Sequence, residues 1–101
     1  MDHFGLPTKI IDQVRQLLAE YPSIERAVIY GSRAKGTHKP GSDIDLTLIG
    51  HAITEAEVLA LESRLDDLLL PYTFDVNRFD ALQNQQLIDH IHRVGQDFYK
   101  K

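Results

Sequence analysis

A chain of 101 residues makes one domain with a real core and leaves no room for a second. Hydrophobic residues at 43% and charged residues at 26% are those of an ordinary soluble globular protein, no apolar run approaches the roughly 20 residues of a membrane helix, and the lack of cysteine excludes disulfides and thiol chemistry. The net charge of -4 argues against general affinity for free nucleic acid, which rests on cations neutralising phosphates, so any anion binding is local. With no basic start leading into an apolar stretch to mark a signal peptide, a cytoplasmic location is expected.

The spacing of Ile10, Ile11, Val14, Leu17 and Leu18 predicts a helix over residues 6–22, with Thr8 as N-cap and Pro22 as its stop. It reads as a packing helix without chemistry. A Pro22-Ser23 turn leads to a short strand over 25–30, after which Gly31-Ser32 turns the chain into a short helical or looped piece through 33–36. Lys39-Pro40-Gly41-Ser42 is a turn signal, and 43–49 is a second strand ended by Gly50. Thr54 and Glu57 form a capping box opening a helix to about Leu70, with Val58, Leu61, Leu65, Leu68 and Leu69 as its buried stripe and Glu62, Asp66 and Asp67 on its solvated face. Pro71 breaks that helix. Residues 72–78 alternate as a third strand, with Tyr72, Phe74 and Val76 facing one way and Thr73, Asp75 and Asn77 the other. Asp80 with Gln83 gives another capping pattern, opening a last helix with Leu87, Ile91, Val94 and Phe98 inward and Gly95 weakening its end. No repeat, low-complexity tract or linker interrupts the chain, which implies one compact domain over 1–101.

The chemistry is concentrated in residues 31–46, GSRAKGTHKPGSDIDL. Aspartate is depleted in strands, so two at alternate positions need a reason. A side-chain period of two puts Asp43, Asp45 and Thr47 on one face of the strand and Ile44, Leu46 and Leu48 on the core face. Two ionised carboxylates about 6 Å apart repel by roughly 3 kcal/mol at an effective dielectric near 20. A hard divalent cation such as Mg2+ offsets that repulsion, because it takes oxygen ligands and bridges carboxylates to phosphates. An Asp-x-Asp pair alone is weak, since exposed edge strands also carry charge. The combination is stronger: a strand, Gly31-Ser32, the aspartate pair, and a third strand with Asp75 on its polar face. Glycine at 31 lets backbone N–H groups approach an anion, and Ser32 adds a hydroxyl, so the turn can cradle phosphate oxygens. Asp75 can complete a two-metal site and act as base on an attacking group. Arg33, Lys35 and Lys39 lie in a loop without acids inside an acidic chain, an asymmetry that fits a polyphosphate; Arg33 is equally suited to tying the loop down.

Two rival motifs fail. Gly31 to Gly36 spaces like the start of a Walker A loop, but Thr37 and His38 stand where Lys and Ser/Thr are required. His90 and His92 lie two apart on a predicted helix, roughly 200° around its axis, and without cysteine partners they read as surface residues rather than zinc ligands. Tyr30, Tyr72, Phe74 and Phe79 read as core.

The 31–46 pattern followed by a strand aspartate resembles the DNA-polymerase-beta-like nucleotidyltransferase superfamily, and the short length resembles its minimal nucleotidyltransferase (MNT) family. That resemblance implies an α+β fold, a small mixed, largely antiparallel sheet with helices packed mainly on one side. It implies Mg2+-dependent transfer of a nucleoside monophosphate from a nucleoside triphosphate, with release of pyrophosphate. Gly31 and Ser32 match the phosphate-binding turn, Asp43 and Asp45 the metal-binding pair, and Asp75 the third carboxylate; Arg33 and Lys35 join the turn as candidate nucleotide-binding residues. Minimal members act as antitoxins beside a small helical HEPN protein that they adenylylate, which implies ATP as donor, a hydroxyl on a HEPN-type partner as acceptor, and a hetero-oligomer. The alternative is a non-catalytic, antitoxin-like subunit that covers the same partner.

Overall fold

A computed structural model describes residues 3–39 and 41–101. The elements run α1 (Thr8–Leu18), β1 (Arg26–Tyr30), α2 (Ser32–Lys35), β2 (Ile44–Ile49), α3 (Glu55–Asp67), β3 (Phe74–Arg78), α4 (Gln85–Val94) and β4 (Gln96–Lys100), with a 3-10 turn over Phe79–Ala81. The sheet order is β3-β2-β1-β4. β1 is antiparallel to both β2 and β4, while β2 and β3 are parallel, as their connection through the crossover helix α3 requires. The fold is therefore α+β with a mixed, largely antiparallel sheet.

Alternation along the strands sorts the two faces. Ala27, Ile29, Ile44, Leu46, Leu48, Phe74 and Val76 meet Ile11, Val14 and Leu18 of α1 and Val58, Leu61 and Leu65 of α3 in the main core. Each fully buried aliphatic side chain there contributes about 1.5–3 kcal/mol. On the opposite face Val28 and Tyr30 pack against Ile91 of α4. Two long helices thus cover one face, and α4 covers part of the other.

The capping box at α3 forms as expected: Thr54 Oγ1 accepts from Glu57 N (3.1 Å), and Glu57 Oε1 accepts from Thr54 N (2.9 Å). Ser23 Oγ also donates to the Glu57 carboxylate (3.0 Å), stitching the start of α3 to the loop before β1. These bonds from the Thr54 backbone and Ser23 hold the Glu57 carboxyl below its ordinary range. The expected turn at 39–42 also closes, with Ser42 N donating to Lys39 O (2.9 Å) and Lys39 N to Ser42 Oγ (2.8 Å); its Pro40 lies outside the described residues.

Several boundaries differ from the sequence expectation. Pro7, not Thr8, occupies the N-cap of α1, and Thr8 is its first helical residue. The helix ends at Leu18 because the chain tightens, Glu20 N donating to Leu17 O and Tyr21 N to Leu18 O. Leu69 leaves the α3 stripe altogether: it adopts φ 54° past the helix end and is 89% exposed. Asp80 lies in the 3-10 turn, and the cap of α4 is Asn84, whose side chain accepts from Leu87 N (3.2 Å). The last helix stops at Val94. Residues 96–100 pair with β1 as a fourth strand, and Phe98 enters the main core from that strand. Among the described residues no helix is long and apolar enough to cross a membrane.

Candidate active site

Strand register brings two of the three predicted carboxylates side by side. Tyr30 of β1 pairs with Asp45 of β2, and Asp45 pairs with Asp75 of β3, so the three form a row across the sheet. Side chains in register on adjacent parallel strands share a face, with strands about 4.8 Å apart. Asp43 sits just before β2, exposed, two residues from Asp45. The next row, Val28, Thr47 and Asn77, lies one pleat further along. There Thr47 Oγ1 donates to Asn77 Oδ1 (2.6 Å), and Asn77 Nδ2 donates to the Tyr30 hydroxyl (2.8 Å). Thr47 is fully buried, so this pairing satisfies a hydroxyl that would otherwise be costly in the sheet. Tyr30, read from sequence as core, is buried but also supplies the polar end of this network.

The electrostatics follow from that crowding. Burial, then Asp75, then Asp43 push the Asp45 carboxyl up to about 6. Burial chiefly, with Asp75 and Asp45 adding, pushes the Tyr30 phenol up to about 12 despite the opposing bond from Asn77. Glu62, expected on a solvated helix face, is half-buried, and its carboxyl is raised by burial and then by Asp75. It is a fourth acid in the field of the row. Among the described residues none of Asp43, Asp45 and Asp75 is in an ion pair. Nor are three His, Cys, Asp or Glu side chains gathered there as a ready-made metal site. The donor chemistry nonetheless fits a hard divalent cation: adjacent acid oxygens that repel one another and have no basic partner.

The turn after β1 is built around Gly31. Its φ of 76° lies where a side chain is strained, and a Cβ would collide with Asp45 Oδ2, so only glycine brings the turn against the carboxylate. Ser32 opens the single turn of α2, which ends at the left-handed Gly36. Arg33 takes the structural alternative. Its side chain is 3% exposed, and the guanidinium donates to Ser42 O (3.0 and 3.1 Å) and Phe4 O (2.9 Å) while lying over the Tyr72 ring. A fork that donates to main-chain carbonyls from both sides clamps the loop. Lys35 is exposed and in no ion pair among the described residues. The sequence reading missed His90, which is half-buried and accepts a hydrogen bond from Gly31 N (3.1 Å). Its spacing of two from His92 and the lack of cysteine partners place it, from sequence alone, among surface residues.

A family model described as polymerase beta nucleotidyltransferase matches residues 12–101. No curated protein matches the sequence. Among solved structures, a toxin–antitoxin complex with AMP-PNP matches at TM-score 0.72 and 18% identity, over 90% of this chain and 73% of that one. The MntA–HepT toxin–antitoxin complex matches at TM-score 0.69 and 14% identity, over 94% and 74%. A tri-AMPylated HEPN toxin in complex with its MNT antitoxin, from Shewanella oneidensis, matches at TM-score 0.66 and 15% identity, over 90% and 70%. At such identities the likeness is one of fold.

Proposed function

We propose, from the premise that this chain belongs to the polymerase beta nucleotidyltransferase family, that it transfers AMP from ATP to a hydroxyl on a HEPN-type protein partner in a Mg2+-dependent reaction. The observation that carries the reading is the Asp45–Asp75 row lying beside the Gly31 turn, with no basic side chain paired to either carboxylate among the described residues. The neighbouring complexes, with AMP-PNP in one and an AMPylated toxin in another, support the choice of donor and partner.

Asp45 and Asp75, with Asp43, would hold the metal, and a polyphosphate would supply its remaining oxygens. The metal would supply charge neutralisation on the phosphates and on the developing oxyanion. Gly31 and Ser32 orient the triphosphate through main-chain N–H groups and a hydroxyl, and Lys35 adds mobile positive charge at the rim. Arg33 keeps that loop closed without touching the nucleotide. Asp75, exposed at the open end of the row, accepts the proton of the acceptor hydroxyl as its oxygen bonds to the α-phosphorus. The bond from that phosphorus to the bridging oxygen breaks, and pyrophosphate leaves. Alignment of acceptor and phosphorus accounts for roughly 7–11 kcal/mol of such a barrier, and a bound protein partner supplies it.

The test is co-expression with the product of the adjacent gene, followed by mass spectrometry of that partner. AMP-sized increments are expected with wild type and not with the double variant Asp43→Asn/Asp45→Asn. An unmodified partner in the presence of ATP and Mg2+, or equal modification by the double variant, defeats the enzymatic reading and leaves a non-catalytic binding subunit.

A further inference from the structure

The Gly31 amide, which the nucleotide reading assigns to a phosphate oxygen, already has an acceptor within the chain: His90 Nε2 at 3.1 Å. In this contact the ring nitrogen accepts through its lone pair, the same role a phosphate oxygen would play. Its position is set on two sides. The ring meets Tyr30 edge-on, with centroids 6.1 Å apart and planes at 81°, and the adjacent Ile91 anchors α4 against Val28 and Tyr30. Gly31 is equally constrained by its positive φ and its contact with Asp45.

One main-chain N–H makes one good hydrogen bond, so imidazole and phosphate cannot both have it. We propose that His90 is an internal stand-in for phosphate: a latch on the Gly31 amide in the nucleotide-free protein, displaced when a triphosphate enters. The inference rests on the nucleotide-site reading and adds to it a coupling between the turn and α4. Displacement is favoured because a charged phosphate oxygen makes a hydrogen bond roughly twice as strong as a neutral acceptor does. A second tie from the C-terminal unit, Gln96 Nε2 to Ala34 O at 2.8 Å, uses no turn amide and stays when the latch opens.

Titration calorimetry with Mg2+ and α,β-methylene-ATP, which cannot transfer AMP, compares wild type with His90→Ala, His90→Leu and Gln96→Ala. Leucine retains packing against Tyr30 but offers no acceptor, so it serves if alanine weakens the fold. Both His90 variants are expected to bind about two- to ten-fold tighter, the equivalent of one neutral hydrogen bond no longer lost on binding, and Gln96→Ala no tighter than wild type. In 15N-labelled wild type, the Gly31 amide and His90 Nε2 resonances should shift together as the nucleotide saturates. Saturable wild-type binding with the His90 variants unchanged or weaker, an equal gain in Gln96→Ala, or an unmoved Nε2 resonance at saturation overturns the latch and leaves the nucleotide site standing. Binding by the His90 variants alone supports the latch, and no binding by any of the four proteins overturns both.

Discussion

Replacing Asp45 by asparagine removes one charge from the carboxylate row and keeps the side chain's shape. In the folded protein Asp45 titrates near 6, against about 3.9 in an unfolded chain, so the native state binds this proton more tightly. The sign follows from linkage: the native state holds more protons than the unfolded one between those values, so stability is greatest below about pH 4, falls as pH rises towards 6, and stays lower above it. A shift of about two units corresponds to roughly 3 kcal/mol, and screening at a partly open side chain brings it to about 1–2 kcal/mol. Asp45→Asn is therefore expected to melt roughly 5–10 °C above wild type at pH 7.5 without metal, and level with it near pH 4. Added Mg2+ should raise the wild-type melting temperature and narrow the gap, because a ligand of the native state stabilises only the protein that binds it. Scanning calorimetry at three pH values, with and without Mg2+, reads all of this. A variant that melts several degrees below wild type at pH 7.5, or a gap that persists on acidification, refutes the reasoning and makes Asp45 a structural residue.

With Asp43 and Asp45 as the principal metal anchors and Asp75 mainly the base, Asp75→Asn should slow AMP transfer by about 10²- to 10⁴-fold while nucleotide binding is largely kept; undiminished transfer in a single-turnover assay removes the base role. Gly31→Ala places a Cβ against Asp45 Oδ2 at a φ of 76°, and denaturant unfolding should show a loss of at least about 1–3 kcal/mol together with loss of nucleotide binding. Arg33→Lys keeps the charge but not the fork to Ser42 O and Phe4 O; proteolysis should open the 36–42 loop, whereas a direct phosphate role for Arg33 would show as weaker ATP binding with the loop intact. Thr54→Ala breaks the capping box and should cost about 1 kcal/mol, a fall of roughly 4–8 °C in melting temperature with transfer unchanged at low temperature.

The parts of the fold legible in the sequence are those set by local rules. Thr54 and Glu57 are three residues apart, and the bond that makes them a capping box needs nothing beyond that spacing. Asp45 and Asp75 fall on polar faces by alternation alone, and pairing then brings them into one row. β4 was hidden because Leu87, Ile91, Val94 and Phe98 continue a helical period, so Phe98 points inward under either reading. What selects the strand is its ladder to β1, where Arg26 faces Lys100, a partnership no local window contains. Asp80 and Asn84 are both residues that cap helices, and only the 3-10 turn at 79–81 shows which one begins α4. His90 escaped for a similar reason: its partner is a main-chain amide from a distant segment, and a backbone donor leaves no mark in the residue letters.

The placing of β1 between β2 and β4 also has a consequence for the order of folding. The turn that begins at Gly31 hangs from the end of a strand whose second neighbour is made of residues 96–100. Until those residues leave the ribosome, β1 presents an open row of N–H and C=O groups, a template for pairing with other chains. A helix can form in isolation during synthesis, but this sheet closes only when residues 26–30 meet residues 96–100, and closures across so long a stretch of chain are slow. The nascent chain is thus expected to complete the sheet around β1 last, after most of the hydrophobic core already has its sequence in place.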